Sequence, residues 1–361
     1  MKKEVFTTKK AISLATAAVI AAGTLTLTGC GGSTETADGT ATTLNIYTWT
    51  EYIPDSVIEK FEDETGIKVN HTTFSSNEDM LAKVKSEDDD AFDIIQPSDY
   101  MVEQMASQGM LAELDLDKLT NLSNIGEQYL DPSYDPGNTY SIPYLGGVEA
   151  IAVNTDMVTG EITSYDDLFD PQYASQIVLL DDFRAVIGMT AKSLGYSMST
   201  SDETELAEIK EKLLSIKPNV KLYDSDSPKS ALISGECSIA SVWSAEVALA
   251  MEEVPSIEVV YPEEGAYLFM DNWAIPAGSK NVDAAMEFIN FMLDAENMAL
   301  ILEEFPYMCP NTAAVELMGE EYAANLAKNP PAEAIETGEY IQNLDNDTLA
   351  IYDQMWTELK K

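Results

Sequence analysis

Histidine is almost absent from this chain, since His71 stands alone among 361 residues. That excludes a multi-histidine metal centre, and a Ser-His-Asp apparatus would rest on one residue with no supporting motif. His71 lies in Val69-Asn70-His71-Thr72, at the end of a predicted strand, and reads as structural. Basic residues are also few: 20 Lys and Arg face 63 Asp and Glu, for a formal charge of −43. Such a charge repels a phosphate backbone and excludes nucleic acid as a partner. It suits a cation, whose local concentration a negative field raises, although solubility alone also accounts for acidity. After the N-terminus, no apolar run is long enough for a transmembrane helix.

The N-terminus has its own pattern. Lys2, Lys3, Lys9 and Lys10 precede an apolar run from Ala11 to Leu27, as in a secretory signal. Leu27-Thr28-Gly29-Cys30 resembles a bacterial lipobox, which predicts a signal peptide over 1–29 and a lipid-bearing Cys30. Residues 30–43, rich in Gly, Ser, Thr and acids, read as a flexible tether. The chain is therefore expected outside the cytoplasm, anchored to a membrane in the periplasm or at a Gram-positive surface. The other two cysteines, Cys237 and Cys309, read as free thiols, though an oxidising compartment permits a bridge.

About 320 residues follow the tether, long for one core and suited to two lobes. Short strand patterns alternate with helical ones. Leu44–Tyr47, Ile67–Val69 and Phe92–Ile95 predict strands, with helices opening at Pro54, Asn77 and Ser98 or Asp99. A second such run has strands at Ala150–Val153, Ile177–Leu180, Leu222, Ile239–Trp243, Val259–Tyr261 and Asn272–Ile275. Its helices fit Phe183–Leu194 and Glu203–Ile216, and the chain ends in an amphipathic helix over Thr348–Leu359. This rhythm predicts an α/β fold with mostly parallel sheets flanked by helices. Open α/β sheets take ligands beyond the carboxyl ends of their strands, and clefts between lobes are favoured sites.

The residues at those ends recur in kind. Trp49, Thr50 and Tyr52 follow the first strand, and Ser98 and Tyr100 follow Ile95. Asp182 follows Leu180, Trp243 closes another strand, Phe269 and Asp271 precede Ala274, and Tyr307 sits in a late loop. Aromatics and carboxylates together suit an alkyl ammonium. The rings pack on methylenes and attract the cation, and the carboxylates accept charge-assisted hydrogen bonds. Taken singly, each residue has a plainer reading: core aromatic, helix cap or turn acid. No nucleophile with an adjacent base is evident.

Ile46-Tyr47-Thr48-Trp49-Thr50-Glu51-Tyr52-Ile53-Pro54 resembles the first motif of the spermidine/putrescine-binding (PotD) family of ABC-importer receptors. So do Phe61–Val69, Phe92–Tyr100, Leu179–Arg184, Met270–Pro276 and Tyr307–Asn311, so the likeness spans Leu44 to Leu359. The resemblance implies a type II-like two-lobed periplasmic-binding-protein fold with a ligand cleft between lobes. Residues 44–147 plus about 272–311 would form lobe 1, and 148–271 plus about 312–361 lobe 2. It implies an extracytoplasmic, monomeric, non-enzymatic receptor without cofactor or metal, delivering polyamine to a membrane permease.

By position, Trp49, Thr50 and Tyr52 would wall and orient the amine, and Ser98 and Tyr100 would form a contact pair. Asp182 and Asp271 would pair with ammonium groups, Trp243 and Tyr307 would add aromatic walls, and Gln342 would hold one end. Two positions depart from the pattern. Ala185 replaces a glutamate, and Phe269 a tryptophan, a weaker cation–π partner. Glu149, near the expected crossover, is a candidate to replace the missing carboxylate. The choice between putrescine and spermidine stays open. The rival readings are a receptor for another solute, such as a sugar or ferric ion, a surface hydrolase, and an adhesive lipoprotein.

Overall fold

The computed structural model describes residues 42–361. The expected signal, Cys30 and nearly all of the tether lie outside the described residues. The first lobe opens with β1 (Thr43–Trp49), α1 (Asp55–Thr65), β2 (Lys68–Phe74), α2 (Asn77–Ser86), β3 (Ile94–Ile95) and α3 (Asp99–Ser107). Pro54 sets the entry to α1, whose Val57, Ile58 and Phe61 are buried on one face. Gly66 ends the helix at φ 75°, a left-handed conformation that costs glycine little. After several short 3-10 turns comes β4 (Ser141–Asn154), buried along its whole length.

The second lobe holds β5 (Ile177–Leu179), α4 (Phe183–Lys192), α5 (Glu203–Ile216), β6 (Val220–Tyr223), α6 (Lys229–Ile233), β7 (Ile239–Trp243), α7 (Ser244–Glu253) and β8 (Ile257–Val260). The chain then returns through β9 (Tyr267–Ala274), α8 (Val282–Met292), α9 (Ala295–Glu304) and α10 (Thr312–Ala324). It ends with α11 (Ala332–Thr337), β10 (Glu339–Tyr340) and α12 (Asn346–Lys360).

Strand order runs β2-β1-β3-β9-β4-β7-β5-β6, with β10 beside β9 and β8 beside β4. β4 joins the halves. Its residues Ser141–Val148 pair antiparallel with β9, and Glu149–Val153 pair antiparallel with β7. The register shifts between Pro143 and Leu145, as expected where a proline removes a ladder donor. β1 pairs parallel with β2 and β3, and β5 pairs parallel with β6 and β7.

Two strands start earlier than their sequence signal. β4 begins at Ser141 rather than Ala150, and β9 at Tyr267 rather than Asn272. Both are buried on both faces, so neither shows the polar-apolar alternation that marks a half-exposed strand. β9 therefore pairs with lobe 1 from Tyr267 onward. α10 also stays with lobe 1: it packs on α9, and Tyr322 Oη donates to the Tyr307 carbonyl at 3.2 Å. The crossing back expected near residue 312 thus comes later, with α12 packed on α4 and α5.

The core of lobe 1 is rich in aromatics. Trp273 stacks obliquely on Tyr144 at 4.5 Å, and Phe61 meets Phe288 edge-on at 4.9 Å. Burial of such side chains contributes about 1.5–3 kcal/mol each. Cys237 and Cys309 are buried free thiols. Burial pushes them up to about 11 and about 12, so neither is a ready nucleophile. His71 Nε2 lies 2.7 Å from Thr48 Oγ1 within the β1–β2 pair, and burial lowers its pKa, in keeping with a structural role. Among the described residues, no cluster of His, Cys, Asp and Glu could hold a metal, and no helix is long and apolar enough to cross a membrane.

Candidate functional site

The first wall grows from the end of β1. Trp49 and Thr50 leave the strand, and Glu51 then adopts φ 51°, a left-handed conformation uncommon for a side-chain-bearing residue. This turn directs Tyr52 inward, where its hydroxyl donates to Asp271 Oδ2 at 2.6 Å. Trp49 packs on Phe74 at 4.5 Å. Ser98 stands at the N-terminus of α3 but makes no capping bond. Its Oγ donates to Asp271 Oδ1 and accepts from Asn77 Nδ2 at 2.9 Å. The cap reading considered from sequence gives way here, because Asp271 holds the hydroxyl. Asp271 is thus a buried carboxylate fixed by two neutral hydroxyls, and burial pushes its pKa up to about 7.

The second lobe supplies a different carboxylate. Asp182 caps α4, its Oδ1 accepting from the backbone N–H of Arg184 at 2.8 Å and Ala185 at 3.1 Å. Burial, with Glu78 nearby, pushes it up to about 6. Ala185, where the family pattern has glutamate, is fully buried in α4.

A run of rings joins the two sides. Trp243 meets Phe269 at 4.8 Å, Phe269 meets Tyr307 at 6.3 Å, and Tyr307 meets Tyr52 at 4.9 Å. Gly147 on β4 makes room for this wall, because a Cβ there would lie 2.8 Å from the Phe269 ring.

Trp49, Thr50, Tyr52, Ser98, Asp182, Trp243, Phe269, Asp271 and Tyr307 all line one narrow slot between the lobes. Asn77, Ser225 and Tyr267 join them. The sequence carried signals for two of these. Tyr267 shares a strand face with Phe269 and Asp271 at a period of two, and Ser225 follows β6. Ser225 Oγ is buried without a protein partner, leaving it free to meet a ligand.

Three anticipated residues lie elsewhere. The Arg184 guanidinium covers the Tyr100 ring at 4.4 Å, and the Tyr100 hydroxyl donates to Glu78 at 3.3 Å. Tyr100 and the exposed Gln342 line a separate, open cavity of about 610 Å³ beside Asp99 and Tyr340. That cavity is larger, about 610 Å³ against about 40 Å³ for the slot, but it lies apart from Asp182, Asp271 and the ring wall. Glu149 is fully buried where β4 crosses between lobes, and its Oε1 accepts from Ser241 Oγ at 2.7 Å. Burial pushes it up to about 8. Packed inside the lobe 2 sheet, it does not reach the slot.

Outside the slot, a vestibule of about 430 Å³ is lined by Glu78, Asp79, Asp181, Asp182, Asp224 and Asp226. It meets the slot at Asp182 and Ser225. Convergent carboxylates focus a negative field that draws cations inward. Beside this entrance, ion pairs link the two lobes: Arg184 Nε with Glu78 at 2.9 Å, and Lys229 Nζ with Glu51 at 2.6 Å.

A cleft between two α/β lobes, walled by rings and ended by carboxylates, defines a solute receptor. The chain belongs to the bacterial extracellular solute-binding proteins, whose family profile matches residues 56–331. It is 40% identical to the spermidine/putrescine-binding periplasmic protein of Escherichia coli, over 95% of this chain and 97% of that one. The spermidine/putrescine ABC transporter substrate-binding protein PotD of Streptococcus pneumoniae is 36% identical, with a TM-score of 0.76, over 89% of this chain and 99% of that one. The PotD lipoprotein of Treponema pallidum is 28% identical, with a TM-score of 0.78, over 88% and 99% respectively.

Proposed function

We propose that this protein is the extracytoplasmic receptor of a polyamine ABC importer. The observation that carries this reading is the convergence of Asp271 and Asp182, one from each side, on a single aromatic-walled slot. A linear amine lays its methylenes along Trp243, Phe269 and Tyr307 and presents ammonium groups to the two carboxylates. Charge-assisted hydrogen bonds of this kind contribute roughly 1.5–3 kcal/mol each, and ring contacts about 0.5–2. Because the site draws on both lobes, the ligand gains contacts only as they close, and its binding shifts the equilibrium towards the closed form. Two of the relatives named above, both spermidine/putrescine-binding proteins, support the same class. No bond is made or broken.

The receptor acts as a monomer, held by lipid on Cys30, and its closed form docks on a permease. The tether after Cys30 keeps it near that partner at high effective concentration. The test is calorimetry of the purified protein with putrescine, spermidine, spermine and a neutral diol of matched length. The amines should bind and the diol should not. Equal binding of the diol, or no amine binding, overturns the reading.

A further inference from the structure

Glu51 stands between Thr50 and Tyr52, which both line the slot, yet its own carboxylate is taken. Its Oε2 lies 2.6 Å from Nζ of Lys229, on α6 of the opposite lobe. The same ammonium lies 3.2 and 3.1 Å from the two carboxylate oxygens of Glu246, a buried residue of α7 shortly after Trp243. Lys229 is itself largely buried, with 18% of its side chain exposed. Both carboxylates lie close enough to Tyr307, a slot wall, to act on its hydroxyl electrostatically. So a primary ammonium, held by two acids, sits at the end of the ring wall. That is the chemistry of the ligand site, met by the protein's own side chain.

We infer that Lys229 is a resident ammonium that fills a third amine position of the cleft and so makes the site selective for diamines over triamines. The inference rests on the polyamine reading above. With Glu51 and Glu246 neutralised from within, the carboxylates that line the slot itself and are left to a ligand are Asp271 and Asp182. A diamine has an ammonium for each. A triamine brings a further charge, which must either extend past Asp182 into the solvent-open vestibule, where water weakens its pairing, or displace Lys229 from a cage that already satisfies it. A purely structural ion pair would instead clasp the lobes and affect all ligands alike.

Calorimetric titration with putrescine and spermidine, on the wild type, Lys229→Gln, Glu51→Gln and the double variant, separates these readings. Glutamine can still donate to Glu246, so the buried acid keeps a partner. In Lys229→Gln, the spermidine-to-putrescine affinity ratio should rise about tenfold, the order a charge-assisted hydrogen bond supplies. The double variant should lose that gain, and Glu51→Gln alone should leave the ratio near the wild-type value. Should Lys229→Gln fold poorly, Lys229→Met with Glu246→Leu removes the buried acid and should show the same rise through Glu51. An unchanged ratio, with both affinities falling together, overturns the inference and leaves Lys229 as a clasp. Absence of amine binding by the wild type overturns the polyamine reading and this inference with it.

Discussion

The two carboxylates of the slot are built in opposite ways. Asp271 is 4% exposed and held by the hydroxyls of Tyr52 and Ser98, which carry no charge. Asp182 is only partly buried and is held by the N-terminus of α4, through two backbone N–H groups. Burial pushes the first up to about 7 and the second only to about 6. The helix dipole and its free N–H groups stabilise a negative charge that neutral hydroxyls support less well. Asp271 is thus a deep anchor that needs a cation to ionise comfortably, and Asp182 is a rim acid that also caps a helix. The two ends should therefore differ in how much affinity each carries.

The largest effect should come from Asp271→Asn. It keeps the shape and still accepts from one hydroxyl, but it leaves a buried ammonium without its counter-charge. Removing one member of such a buried pair costs about 2–5 kcal/mol, so putrescine affinity should fall by about a hundredfold or more. A loss under tenfold would mean that the anchor lies elsewhere. Asp182→Asn should cost less, about tenfold to a hundredfold, because solvent reaches this end. Asparagine also caps helices well, so its melting temperature should stay near that of the wild type. Asp182→Ala should lose the same affinity and a further ~1 kcal/mol of stability with the cap. Equal affinity losses at the two ends would erase the distinction drawn between them.

pH sharpens the same contrast. An unfolded Asp titrates near about 3.9, below both folded values, so the folded state holds more protons over that interval. Stability contributed by these groups is therefore fully present in acid and falls as pH rises through about 6 for Asp182 and about 7 for Asp271. Asp99, pushed by burial up to about 8, extends the fall. A bound dication needs both slot carboxylates ionised, so ligand binding releases protons, and its stabilisation grows over the same window. Melting curves with and without putrescine, from pH 5 to 8.5, should show a Tm gap that widens as pH rises. A gap that widens towards acid would contradict the assignment of Asp271 as the ammonium partner.

Much of this site could be read from sequence because strand ends are local features. Trp49, Asp182 and Trp243 each follow a short apolar run, and a parallel α/β order sends all such ends to one edge. What could not be read was where a side chain turns once the lobes meet. Tyr100 sits in a matching motif, but its ring is covered by Arg184 from a helix far along the chain. Gln342 depends on the path between β10 and α12, a stretch with no regular structure to fix its spacing. Glu51 looked like one more acid in a motif, and its pairing with Lys229 is a contact between lobes that no local pattern encodes. β4 and β9 were under-read for a related reason: strands buried on both faces lack alternation.

Glu149 gives the smallest expected effect and the most informative one. From sequence it was a candidate third carboxylate, and in the fold it is a buried group bonded to Ser241 within lobe 2. Its backbone pairs with Trp243, and its carboxyl lies near enough to Asp182 to feel that charge, but it does not line the slot. Glu149→Gln keeps an oxygen to accept from Ser241 and replaces a carboxyl that burial holds largely protonated at neutral pH with a group that does not titrate. Putrescine affinity at neutral pH should change by less than about twofold, within the range of substitutions that make no ligand contact. The variant should differ instead in its stability profile. Burial holds Glu149 at about 8, above the about 4.3 of an unfolded Glu, so removing its carboxyl should flatten the stability decline across that interval. If affinity falls tenfold with that profile unchanged, the carboxylate contributes to ligand binding, and the lobe crossover belongs to the binding site.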